Sequence, residues 1–269
     1  AVTLLCQLEA AQRGASERGG FAKKLVAQLL GSARGTLEGF VDELEVSIKE
    51  SRTSVKHAGV APAVLKAPTL LRDMLQALLN GPPEPRSADL LTRLQEALVG
   101  TLLEWLVAMG AQDAKYRDVF VFENTSRLCR SLRELRSMWD EAAARAPGGG
   151  EGFLSEVSSG LMHSVDQAVS MRDLHLKSYV RSLVAEKAGK VLDLVEALDS
   201  MLLTQGADEV IRRPGMSLPS IQSTVKDALG NPEKLAASVR KRMNKHLTKQ
   251  EGLFGEVWGD VLDLVLSSY

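Results

Sequence analysis

The sequence predicts an all-α fold, an elongated rod of successive antiparallel helical bundles, on three observations. Leucines and valines recur at three- and four-residue spacing along most of the chain, the stripe of helices buried on one side. Sustained two-residue alternation, the mark of a half-buried strand, is found nowhere; Val-Phe-Val-Phe at 119–122 has helical patterning on both sides. Prolines and glycines gather in a few places and cut the pattern into long segments.

The elements follow in order. Residues 2–13 read as a short helix, interrupted by the glycines from Gly14 to Gly20. From Phe21 to about His57 a helix is expected on Leu25, Leu29, Leu30, Leu37, Phe40, Val41, Leu44 and Ile48. Gly31, Gly35 and Gly39 weaken it by up to about 1 kcal/mol each relative to Ala, so a break or bend is expected near Gly31–Gly35. Gly59 is placed as a helix stop, with Pro62 soon after. A helix over 63–79 contains Pro68, which is positioned to kink or restart it. Asn80–Ser87 is a proline-rich linker with Ser87 as the N-cap of the next helix. Leu91, Leu94, Leu98, Leu102, Trp105 and Met109 make one buried stripe, closed by Gly110.

The central helix comes after a short turn, and two helices joined so closely must run antiparallel. It holds Tyr116, Phe120 and Phe122 within seven positions, and from Val121 the stripe continues through Thr125, Leu128, Leu132, Leu135 and Trp139. Glu123 and Asn124 sit inside the aromatic cluster. Two roles suit them: a carboxyl perturbed by apolar neighbours, as in catalytic acids, or a polar pair that bonds to a neighbouring helix and fixes its register. The second is preferred, because no other titratable group is placed to work with Glu123.

Pro147–Gly150 is the expected boundary between an N-terminal bundle, 1–146, and a C-terminal bundle, 147–269, packed end to end. A helix over 153–169 continues through 174–203, with a break between them left open. Residues 213–219 are turn-rich, and 220–229 form a short helix. Asn231-Pro232-Glu233 has the form of an N-cap with proline at the first helical position. Leu235, Val239, Met243 and Leu247 then make one stripe, and Phe254, Val257, Val261 and Leu264 another beyond a break at Gly252 or Gly255.

Composition narrows the function. A length of 269 residues suggests roughly two domains. Hydrophobic content of 45% and charged content of 25% are ordinary for a soluble globular protein, and 4% aromatic content requires an aliphatic core. A net charge of −1 argues against a nucleic-acid partner. Cys6 and Cys129 stand far apart and read as thiols of a reducing cytosol. No apolar run approaches the ~18 residues of a membrane span. No signal peptide is visible, and Ala1 in place of a starting Met reads as a fragment.

No catalytic, metal or cofactor constellation emerges. His57, His163, His175 and His246 lack the spacing that puts two ligands on one helix face. The glycines at 148–150 and 19–20 follow no strand and precede no Lys-Ser/Thr pair, so no phosphate loop is present. Ser155, Ser158 and Ser159 lack a nucleophile elbow. One charged feature remains: Arg240, Lys241, Arg242, Lys245 and Lys249 line one side of a helix whose other side is Val239, Met243 and Leu247. It is read in two ways, as a solvated face pairing with Glu233 and Glu251, or as a contact for acidic phospholipid or a partner.

Three segments carry a resemblance. Residues 39–60, Tyr116-Arg-Asp-Val-Phe-Val-Phe-Glu-Asn124, and Val239-Arg-Lys-Arg-Met-Asn-Lys-His-Leu247 with Glu251, Val257 and Trp258 resemble parts of exocyst complex component one, the Sec-three subunit family. Tyr179, Val180, Lys190 and Leu198 fit between them. The resemblance implies the C-terminal region of a tethering-complex subunit, a non-enzymatic scaffold of helical bundles that holds secretory vesicles at the plasma membrane before fusion. It implies other exocyst subunits as partners and a cytoplasmic location, peripheral at the plasma membrane and vesicle docking sites. The family's phosphoinositide- and GTPase-binding domain lies further N-terminal, so acidic phospholipids and small GTPases are expected mainly through regions outside this sequence.

Overall fold

Ten helices are described in the computed structural model, which covers residues 2–14, 20–56, 59–79, 85–145, 151–229, 232–247 and 252–267. They are α1 (Val2–Gly14), α2 (Gly20–Glu50), α3 (Pro62–Leu79), α4 (Pro85–Gly110), α5 (Arg117–Arg145), α6 (Glu151–Thr204), α7 (Ala207–Ile211), α8 (Leu218–Leu229), α9 (Pro232–His246) and α10 (Leu253–Ser267). The described residues contain no strand, and 119–122 is helical. The chain is all-α.

Two compact units divide it, Ala1–Arg172 and Asp173–Tyr269, with the division inside α6. The boundary expected at Pro147–Gly150 falls on residues outside those described. In the first unit α1 packs on α2, α2 on α4, and α3, α4 and α5 against one another. Every member of the α4 stripe is buried, from Leu91 to Met109, in one aliphatic core with Leu128, Leu132, Leu135 and Trp139 of α5.

Several local expectations are corrected. α2 runs through Gly31 and Gly35 without a break, because Leu30, Leu37 and Ile48 are buried along it and packing overrides the weak helix preference of glycine. It ends at Glu50 rather than near His57, where the Trp105 indole N–H donates to the Ser51 carbonyl at 3.0 Å and draws the chain out of the helix. Gly59 therefore closes no helix; it sits in the segment between α2 and α3 with φ +150°. α3 continues past Pro68, whose ring is buried. α4 begins at Pro85, so Ser87 lies inside it instead of capping it; proline suits a first helical position, where its missing N–H has no partner to lose. In the stretch 205–217 the chain forms the five-residue α7, anchored by buried Val210.

α6 is helical from Glu151 to Thr204. Yet Arg181 and Glu196 form an ion pair across fifteen residues of it. In a straight helix that separation is about 22 Å, beyond the reach of the two side chains. The helix is bent between them, and Gly189, which lacks a side chain to pack, lies in the bent interval. Buried Val184 and Val191 lie on either side.

Candidate functional site

Two places carry the residues singled out by sequence. The first is the strap between α2 and α3, described at 51–56 and 59–61. Those residues are non-helical, so their backbone groups need partners from elsewhere. The Trp105 indole of α4 holds the strap's first carbonyl. Val55 and Ala61 are buried within it. At the far end, the Gly59 N–H donates to Glu123 Oε2 at 3.3 Å, and the Ala61 N–H donates to Asn124 Oδ1 at 2.7 Å.

Glu123 and Asn124 thus bond to the backbone that enters α3, rather than to a neighbouring helix proper. Ala61 occupies the N-cap position, its carbonyl accepting from the Val64 N–H at 3.0 Å. Asn124 is oriented by its own amide, which donates to the Phe120 carbonyl at 2.8 Å. Glu123 and Asn124 are 1% and 0% exposed. At that burial an unpaired polar group is costly, so the pair specifies where the strap docks. Phe120 and Phe122 are buried beside them, whereas Tyr116 is half-buried with Lys115 Nζ 5.4 Å from its ring centre.

The second place is the basic helix. On α9, Val239, Met243 and Leu247 are buried, as the spacing requires. Arg240, Lys241 and Lys245 are exposed, Arg242 is half-buried, and Lys249 and Glu251 lie outside the described residues. His246, next to Lys245 in sequence, is buried, with its ring centre 6.3 Å from that of Tyr179. α10 packs on α9, and the Arg240 guanidinium stands 4.4 Å from the ring centre of Trp258. In α10 the buried positions are Leu253, Val257 and Val261; Phe254, expected in that seam, is half-buried, and the side chain of Leu264 lies outside those described.

Sequence reasoning missed Trp105 as the residue that ends α2 and Trp258 as the partner of Arg240. A signal existed for the first. A buried indole N–H almost always finds an acceptor, and Trp105 lies on the buried stripe.

Elsewhere in the first unit, an open groove of 710 Å³ between α5 and α6 is lined by Arg136, Asp140, Glu141, Met162, Val165 and Asp166, among others. Its volume suits a small ligand, but Arg136, Asp140 and Glu141 are held by one another and by neighbours. Asp140 accepts from Ser158 at 3.0 Å and pairs with Arg136 at 3.5 Å, and Glu141 pairs with Arg145 at 3.3 Å. Among the described residues no three His, Cys, Asp or Glu side chains gather as metal ligands, and no helix is long and apolar enough to cross a membrane. Cys129 is buried and outside any disulfide.

These observations define an all-α protein in which buried Glu123 and Asn124 are bonded to its own backbone. Exocyst complex component SEC3A of Arabidopsis thaliana is similar to it, 20% identical over 254 residues, which is 94% of this chain and 26% of that protein. The chain therefore spans about a quarter of the length of that relative. No protein-family profile matches, and no solved structure matches.

Proposed function

We propose that this chain is part of a non-enzymatic subunit of a vesicle-tethering complex of the exocyst kind, a rigid helical scaffold that holds secretory vesicles at the plasma membrane before fusion. The supporting observation is the similarity to an exocyst subunit over 94% of the chain. An all-helical fold suits that role, because at 1.5 Å per residue a helix of ~35 residues separates its ends by about 50 Å. The buried clip at the strap suits it too, since it fixes the start of α3 against α5. The partners proposed are other exocyst subunits, and the location is cytoplasmic, peripheral at the plasma membrane. A tagged full-length protein is expected to co-purify with exocyst subunits. Recovery of none of them would reject the reading.

A second reading is favoured by one observation, the exposure of Arg240, Lys241 and Lys245 on a single helix. In it the basic helix contacts acidic phospholipid, each cation near the surface contributing about 1 kcal/mol. Replacing Arg240, Lys241 and Arg242 by Glu is then expected to abolish binding to acidic liposomes with helical content unchanged. A wild-type chain that never sediments with such liposomes at low salt would end it.

A further inference from the structure

α9 and α10 together build a surface that neither builds alone. In α10 the seam is Leu253, Val257 and Val261, all buried. One position on from each lie half-buried Phe254 and Trp258 and exposed Leu262. At 3.6 residues per turn these three form a ridge on one flank of the seam, while Glu256, Asp260 and Asp263 fall on the opposite flank. On α9, Arg240 borders the seam of Val239, Met243 and Leu247 and reaches Trp258. Lys241 and Lys245 are exposed beyond it.

An aromatic and aliphatic ridge bordered by cations, with acids turned to the other side, matches the two layers of a bilayer surface. Apolar side chains enter the boundary between headgroups and acyl chains, indole prefers that boundary, and ammonium and guanidinium groups stay with anionic phosphates. A polyanion in solution would engage the cations and leave the ridge in water. We infer that Phe254, Trp258 and Leu262, with Arg240, Lys241 and Lys245, dock on the anionic surface of a lipid bilayer and insert the apolar ridge. The inference rests on the membrane reading of the basic helix and extends it from charge to insertion.

The test mixes the 269-residue chain with phosphatidylcholine liposomes, with or without phosphatidylserine and with or without lipid brominated on its acyl chains. Trp105 and Trp139 are 4% and 1% exposed, so quenching by bromine reports on Trp258. Sedimentation is expected with anionic liposomes alone, accompanied by quenching. W258F is expected to keep the sedimentation and lose the quenching. L262D changes an exposed position and is expected to weaken partitioning at least about tenfold. K241Q/K245Q is expected to weaken it about 25-fold, about fivefold per cation. Circular dichroism checks that each variant keeps its helices.

Wild-type sedimentation without quenching, or L262D sedimenting like wild type, would overturn insertion and leave the charge-only membrane reading standing. No sedimentation at low salt would overturn both. Equal affinity for inositol hexakisphosphate in solution and for liposomes, unaffected by L262D, would assign the site to free phosphate instead and overturn the inference.

Discussion

Replacing Asn124 by Ala tests whether a buried side chain of α5 sets the start of α3. The Ala61 N–H loses its acceptor at 2.7 Å and is left in a site from which Asn124 itself is fully excluded from water. An unpaired buried donor costs about 1–3 kcal/mol. Ala is a better helix former than Asn by about 0.6 kcal/mol, which offsets part of that. The net loss is about 1.5 kcal/mol, which in a unit the size of Ala1–Arg172 lowers Tm by about 3–6 °C. N124D separates hydrogen bonding from shape. It keeps an acceptor for Ala61 but sets a carboxylate against the Phe120 carbonyl, which the amide now reaches at 2.8 Å, and beside Glu123. N124D is therefore expected to be less stable than N124A at pH 7 and to recover when acid neutralises it. Urea and thermal unfolding give the energies, and hydrogen exchange at Ala61 gives the local effect. An N124A protein no less stable than wild type, with Ala61 still protected, would refute the reasoning.

Three further outcomes are expected. In G160A the new Cβ would sit 2.6 Å from Thr92 Cγ2, an overpacking that costs about 1–3 kcal/mol in urea unfolding; T92S/G160A should recover most of it in a double-mutant cycle. In G35A nothing stands within 4 Å of the added carbon, so α2 gains up to about 1 kcal/mol, read as a higher Tm. The hydrogen bond and charge of Arg181 hold the Glu196 carboxyl below the usual carboxylate range. A lowered folded value means the pair's contribution is present above the unfolded value near 4.5 and is lost as pH falls through the folded one; R181Q, followed by unfolding between about pH 6 and 2 at low salt, should flatten that part of the profile.

The apolar seams were legible because burial imposes a period on the sequence. Leu91 to Met109 and Val239 to Leu247 lie where their spacing puts them, each seam with a single face to hide. Helix ends were less legible. α2 stops at Glu50 because the N–H of Trp105, more than fifty residues away, takes the Ser51 carbonyl as its acceptor. Nothing local in Ser51-Arg-Thr-Ser announces that stop. The glycines of α2 misled in the opposite direction, since their cost is small against three buried aliphatic anchors. The bend of α6 was hidden for a related reason: Arg181 and Glu196 look like any two surface charges until they are seen to touch.

The same contrast separates the two candidate sites. Glu123 and Asn124 stood out in the sequence because polar residues among aromatics are costly to bury, and in the structure two strap N–H groups offset that cost. Their chemistry is thus consumed inside the fold, which leaves them to position α3 rather than to meet a partner. Arg240, Lys241 and Lys245 are the reverse case: nothing about an exposed cation is costly, so the sequence pattern alone could not separate a solvated face from a contact surface. In the proposed membrane contact, the residue that would separate them is Trp258. A half-buried indole held against Arg240 and continued by Leu262 leaves apolar area beside the cations, and a solvated face has no use for that area. Substitution of Leu262 therefore decides more than substitution of any single cation.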